Sequence, residues 1–182
     1  MSDSQSGTYG AISRANHWIV SIAFFGMLAV GFYLANVELP RETRGPIMAL
    51  HKATGTVLLF VVAWRVIWRL RQGFPAPLPS VAAWQVQASR IVHWGLLIAM
   101  VVMPLSGVTM SLLGGRPIGI YDLFMIPPIA DIEGAGKLAR TVHGITAWTL
   151  AGLISLHVAA ALKHLLIDRD GTVARMVTGR AA

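Results

Sequence analysis

Four apolar runs recur along the chain, each bounded by polar or helix-breaking residues. The first is "HWIVSIAFFGMLAVGFYLANV", His17 to Val37. The second is "IMALHKATGTVLLFVVAWRVIW", Ile47 to Trp68. The third is "IVHWGLLIAMVVMPLSGVTMSLL", Ile91 to Leu113, and the fourth is "VHGITAWTLAGLISLHVAAALKHLLI", Val142 to Ile167. A hydrocarbon core takes about 20 apolar residues per helix, so the pattern predicts four membrane spans. None of the four contains Asp or Glu.

The connectors carry breaker chemistry. "ELPRETRGP" joins the first two spans, and "RQGFPAPLPS" joins the second and third, its prolines forbidding a continuous helix. A longer stretch, "GGRPIGIYDLFMIPPIADIEGAGKLAR", precedes the fourth span. Its aromatic and aliphatic residues predict a segment that lies on the membrane or folds over a site. Pro104 falls inside the third span and predicts a kink, with Ser106 and Gly107 absorbing the distortion. The first apolar run is longer than the core of a signal peptide, so a retained helix is expected. The expected fold is all-α: one membrane-integral four-helix bundle over residues 1–182, with short polar termini.

Composition agrees. Of 182 residues, 55% are hydrophobic and only 13% charged, far from a soluble domain. The formal net charge is +7, which on a soluble protein would raise nucleic acid as a partner. Here the basic residues sit at span ends, the ordinary signature of topology, and no nucleic-acid partner is expected. With a cytoplasmic N-terminus, that side holds nine basic residues: Arg14, Arg65, Arg69, Arg71, Arg90, Lys163, Arg169, Arg175 and Arg180. The other side holds six: Arg41, Arg44, Lys52, Arg116, Lys137 and Arg140. The excess predicts both termini in the cytoplasm. There is no cysteine, which excludes disulfides, iron–sulfur clusters and thiolate zinc sites. Six histidines and eight methionines remain as metal ligands.

The histidines form a pattern. His143 and His157 are fourteen residues apart, roughly 21 Å along a helix and on nearly the same face. His17 opens the first span on the side of His157, and His51 lies early in the second on the side of His143. Antiparallel neighbours therefore set His17 level with His157, and His51 level with His143. Two histidine pairs at two depths of a four-helix bundle is an arrangement that holds two haems with both axial positions filled. The residue four positions on shares the ligand's face. It is Ser21, Gly55, Ala147 and Ala161 after these four, each small enough to admit a porphyrin. After His93 it is Leu97 and after His164 it is Asp168, so these two histidines read as interfacial or as partners of a propionate or a quinone oxygen. The tryptophans read as interfacial anchors and packing, and the methionines as core filler. Arg65 and Arg69, one turn apart, read equally as positive-inside anchors or as propionate partners.

Several stretches together resemble the bacterial cytochrome b561 family: "NHW", "LHKATG", "WRVIWRL", "VHWGLL" with "MPLSG", "VHG" and "LHVAAALKH". The resemblance covers nearly the whole chain. It implies an inner-membrane cytochrome with two b-type haems, one between His17 and His157 and the other between His51 and His143. It also implies electron transfer between an outer-face donor, such as superoxide, and membrane ubiquinone. Lys52, Arg44, Lys137 and Arg140 would draw an anionic donor to that face. A second expectation is a cytochrome b anchor that relays electrons for a partner dehydrogenase or hydrogenase. A third, from another class, is a metal transporter using intramembrane histidines, which would call for acidic residues in the spans.

Overall fold

A computed structural model of the chain describes residues 2–179. Four long helices dominate it: α2 (Ala11–Asn36), α3 (Arg41–Gln72), α4 (Ala83–Leu112) and α5 (Glu133–Lys163). A short α1 (Asp3–Ser6) precedes them, and a π-helical turn (His164–Asp168) with α6 (Thr172–Val177) follows. The only sheet among the described residues is an antiparallel hairpin, β1 (Ile118–Ile120) with β2 (Phe124–Ile126). Its register pairs Ile118 with Ile126 and Ile120 with Phe124.

All four long helices are long and apolar enough to cross a membrane. Their core is a narrow seam. Val20, Phe24 and Leu28 line one face of α2 at helical spacing, and meet Leu58 and Val62 of α3, Leu97 and Met100 of α4, and Leu150 of α5. The opposite faces are equally apolar yet exposed: Ile22 is 71% exposed, Phe60 72% and Trp148 69%. A helix that is apolar all round and exposed outside its seam has lipid as its solvent.

The helices extend beyond the apolar runs. α3 takes in residues 41–46, expected as connector, and continues through Pro46. Pro46 is the sixth residue of α3, so the hydrogen bond that an N–H there would give the Glu42 carbonyl is missing. α4 begins eight residues before Ile91, and α5 begins nine before Val142. Hydrophobicity marks only the part of a helix that must be dry, whereas backbone hydrogen bonding carries it on into the interface. α4 continues through Pro104 without interruption. Arg180, counted in the charge balance, lies outside the described residues.

At the His17 end, three segments fasten one another. α3 stops at Gly73, whose φ of 67° favours glycine and whose N–H closes onto the Arg69 carbonyl. Arg69 turns back and is buried against Asp3, with Nη1 3.2 Å from Oδ2. The same nitrogen donates to the Gly73 carbonyl, and the guanidinium lies over the rings of Tyr9 and Phe74. Burial pushes the Tyr9 phenol above its ordinary pKa against the pull of Arg69 and Arg175, so it stays neutral. Asp3 Oδ1 accepts the N–H of Gly10, the N-cap of α2, at 3.0 Å. Arg175 of α6 donates to the carbonyls of Gly7 and Ala76. Trp18 and Trp68, expected as packing and anchors, also donate: Trp18 to the Met176 carbonyl and Trp68 to Ser13.

Removing one partner of a buried ion pair strands the other charge, at a cost of roughly 3–5 kcal/mol. Asp3→Ala is therefore expected to lower the thermal midpoint of the detergent-solubilised protein and to speed tryptic cleavage at Arg14. Ser4→Ala, at an exposed neighbouring position, serves as the control. Equal midpoints for the two variants would show that the pair does not fasten the N-terminal segment.

Candidate functional site

The bundle brings the four histidines together as two pairs. His17 of α2 and His157 of α5 have ring centroids 6.3 Å apart, and His51 of α3 and His143 of α5 have theirs 6.4 Å apart. With a metal–imidazole bond of about 2.0 Å and a ring nitrogen about 1.1 Å from its centroid, two axial rings on one metal stand about 6.2 Å apart. Both separations match that requirement. His93 is also close, at 5.4 Å from His157, but its ring is stacked on Phe74 at an interplanar angle of 16°.

The His51/His143 level opens into an apolar cavity of about 60 Å³. Met27, Gly55, Met103, Gly107 and Ile118 line it together with both histidines. His143 is oriented there by α4. Its Nδ1–H donates to the Met103 carbonyl at 2.9 Å, and Ser106 Oγ lies 3.2 Å from the same nitrogen. Ser106 in turn donates to Met103 O, so carbonyl, hydroxyl and imidazole form one small network. With the proton on Nδ1, Nε2 keeps its lone pair, the tautomer a metal needs. His51 Nδ1 is buried and has no partner.

Room for these rings comes from the neighbouring helices. A Cβ on Gly107 of α4 would meet His143 Cε1 at 3.1 Å, and one on Gly31 of α2 would meet His51 Cε1 at 3.3 Å. Sequence reasoning sought small residues on the ligand's own helix and so missed both. Of the four it named, Gly55 lines the cavity and Ala147 packs against the core. Ser21 and Ala161 are half-buried.

At the His17 level the surroundings are polar. Arg65 Nη2 donates to His17 Nδ1 at 3.0 Å, and its Nη1 donates to Asn16 Oδ1 at 3.4 Å. Arg65 Nε and Asn16 Nδ2 are buried donors with no acceptor. Two unanswered donors beside an imidazole pair suit a carboxylate, such as a haem propionate. Asn16 was not singled out from sequence, although "NHW" contains it. Arg69, named with Arg65 as a propionate partner, is instead engaged with Asp3 and Gly73. His164 opens the π-helical turn after α5 and bonds Asp170 at 2.7 Å. Burial raises the Asp170 pKa, but hydrogen bonds from Thr172 and His164 outweigh it and hold the carboxyl below its ordinary range. His164, Asp168 and Asp170 could hold a cation by spacing, yet Lys163 already occupies Asp168 at 2.5 Å. Of the basic residues expected at the other entrance, Lys52 donates to the Pro117 carbonyl and Arg44 to that of Leu34.

A family model described as prokaryotic cytochrome b561 matches residues 8–179. Cytochrome b561 homolog 2 of Escherichia coli (strain K12) is 33% identical over 170 residues, 93% of this chain and 90% of that protein. The probable superoxide oxidase CybB of Yersinia pestis is 25% identical over 176 residues, 93% of this chain and 95% of that one. The probable Ni/Fe-hydrogenase B-type cytochrome subunit of Cupriavidus necator is 22% identical over 206 aligned positions, covering 94% and 84%.

Gly107→Val is expected to push the His143 ring off its carbonyl and lower the haem content of purified protein, read from reduced-minus-oxidised spectra. Gly26→Val is the control, since a Cβ there meets nothing within 4 Å. Unchanged spectra for Gly107→Val at normal membrane expression would show that this glycine makes no room the ring needs.

Proposed function

The chain belongs to the prokaryotic cytochrome b561 family, and from that premise we propose that it is a di-haem electron carrier of the bacterial inner membrane. The family implies b-type haem, and transmembrane helices carry it. The observation that supports two haems is the pair of imidazole separations, 6.3 Å and 6.4 Å, at two depths of one bundle. In this reading His17 and His157 hold one haem, and His51 and His143 the other. In the same reading residues 2–179 act as a single unit. Haem, when bound, supplies a one-electron iron couple whose potential the protein tunes.

The chain's own residues do the rest. His143 is held ready by Met103 O and Ser106, whereas His51, lacking a partner, completes the site from the opposite side. His17 must release Arg65 on ligation. An imidazole bound through Nε2 carries its proton on Nδ1 and cannot also accept there. Arg65 is then free, beside Asn16, to receive a propionate. Arg69 keeps its structural pairing with Asp3. Gly31, Gly55 and Gly107 leave the porphyrin and its ligands their room, and the apolar lining excludes water.

The charge distribution supports an orientation with both termini in the cytoplasm. That end holds nine basic and three acidic residues, and the opposite end six and five. Electrons would enter at the His51/His143 level on the outer side. They would leave at the His17/His157 level to ubiquinone in the membrane. Superoxide as the donor follows the printed name of the Yersinia relative. The near balance of charge at the outer end gives an anionic donor little steering. The Cupriavidus relative, a hydrogenase subunit by name, supports a second reading in which a partner enzyme delivers the electrons. A large subunit that copurifies would select it. The transporter reading has no acidic residue in any span to support it.

Redox titration of single variants tests the assignment. His17→Ala and His157→Ala are expected to lose the same haem, about half of the absorbance change, and His51→Ala and His143→Ala the other half. His93→Ala is expected to keep both. Loss of a haem in His93→Ala with retention in His17→Ala would overturn the pairing.

A further inference from the structure

The hairpin between α4 and α5 lends Ile118 to the His51 cavity, and its placement as a whole is unusual. It is rooted on the end of α4, where Ile129 and Ile132 donate to the Leu112 and Leu113 carbonyls, and Gly114 bridges Asp131. From that root it does not rise away from the bundle. β1 lies along α3, and Ile118, 1% exposed, forms part of the wall of the His51 cavity. Ile118 and Ile120 pack with Leu112 as a small second core. Lys52, inside the second apolar run, has its ammonium on the Pro117 carbonyl. The turn reaches deeper still, where Tyr121 Oη is 3.3 Å from Thr54 Oγ1. Thr54 is seven residues into the run that starts at Ile47, roughly 10 Å along the helix.

Tyr121 has a φ of 49°, a left-handed conformation that a bulky side chain rarely takes. A glycine or asparagine would turn this hairpin more easily. What the tyrosine adds is the hydroxyl contact that ties the turn to α3 at that depth. Meanwhile the crest of the hairpin is apolar: Leu123 of the turn is 79% exposed, and Phe124 and Met125, the first residues of β2, are 60% and 64% exposed. On α3, Leu50 and Val57, exposed as well, bracket the depth of Thr54.

We propose that the hairpin is a membrane-inserted wedge, its crest at Leu123, Phe124 and Met125 lodged in the headgroup–acyl boundary and its Ile118 face closing the His51/His143 cavity from the lipid side. The partner is the lipid surface, through apolar side chains and the amphipathic Tyr121 ring. Paired strands satisfy the inner backbone groups, and an interfacial depth leaves the outer ones and Asp122 within reach of water. The inference stands on the hairpin's contacts and is independent of the haem assignment.

The chain has no cysteine, so single labels are clean. Leu123→Cys, Phe124→Cys and Met125→Cys would each carry an environment-sensitive nitrobenzoxadiazole. The full-length protein would sit in phosphatidylethanolamine–phosphatidylglycerol vesicles. Thr43→Cys and Ser80→Cys, exposed at opposite ends of the bundle, report water. The wedge predicts blue-shifted emission at the three crest positions. It also predicts quenching by doxyl-labelled lipid several-fold above that of the controls, with aqueous iodide the weaker quencher. Iodide quenching at the crest positions equal to that at Thr43→Cys and Ser80→Cys would overturn it and make the crest a surface for a protein in the aqueous phase.

Discussion

An imidazole inside a bilayer must find a partner, because hydrocarbon offers none. This bundle meets that constraint by facing histidines toward one another across helices rather than toward lipid. α5 carries His143 and His157 fourteen residues apart on one stripe, and α2 and α3 each bring one histidine to the matching depth. The seam of buried Val, Leu and Phe between the two levels is correspondingly thin. In the proposed reading, a haem would fill the space between facing rings.

The neighbours of each histidine decide what it can do. His143 is fixed in one tautomer by a carbonyl and a hydroxyl of α4, against a glycine that lets the ring approach. His17 stands beside a guanidinium and an amide with donors to spare. The two levels thus differ in polarity and in hydrogen bonding to the ligand, the levers that separate the potentials of chemically identical haems. With a haem at each level, as proposed, a difference of that kind would give electron flow between them a direction.

The four spans and the pairing of histidines by depth were legible because both follow from helical periodicity and the thickness of hydrocarbon. Helix ends were not, since the backbone continues past the last residue that must be dry. The small-residue argument looked along the ligand's own helix and found Gly55. Gly31 and Gly107 lie on the facing helices, a relation that no spacing within one segment encodes. "MPLSG" was read as a kink with two residues absorbing strain, yet its Met carbonyl, Ser and Gly all serve His143. Asp3 and Arg69 are too far apart in sequence for their pairing to be foreseen. The hairpin was hidden because alternation over three residues per strand is too short to separate from an apolar loop.

Iron held between two imidazoles at each of two depths is the central claim, and its most direct measurement is electron paramagnetic resonance of the oxidised protein with haem counted against polypeptide. The account predicts two haems per chain, both low-spin with bis-imidazole signals, extractable by acid acetone because the chain has no cysteine to bind them covalently. One haem per chain, or a stoichiometric high-spin signal, would contradict it.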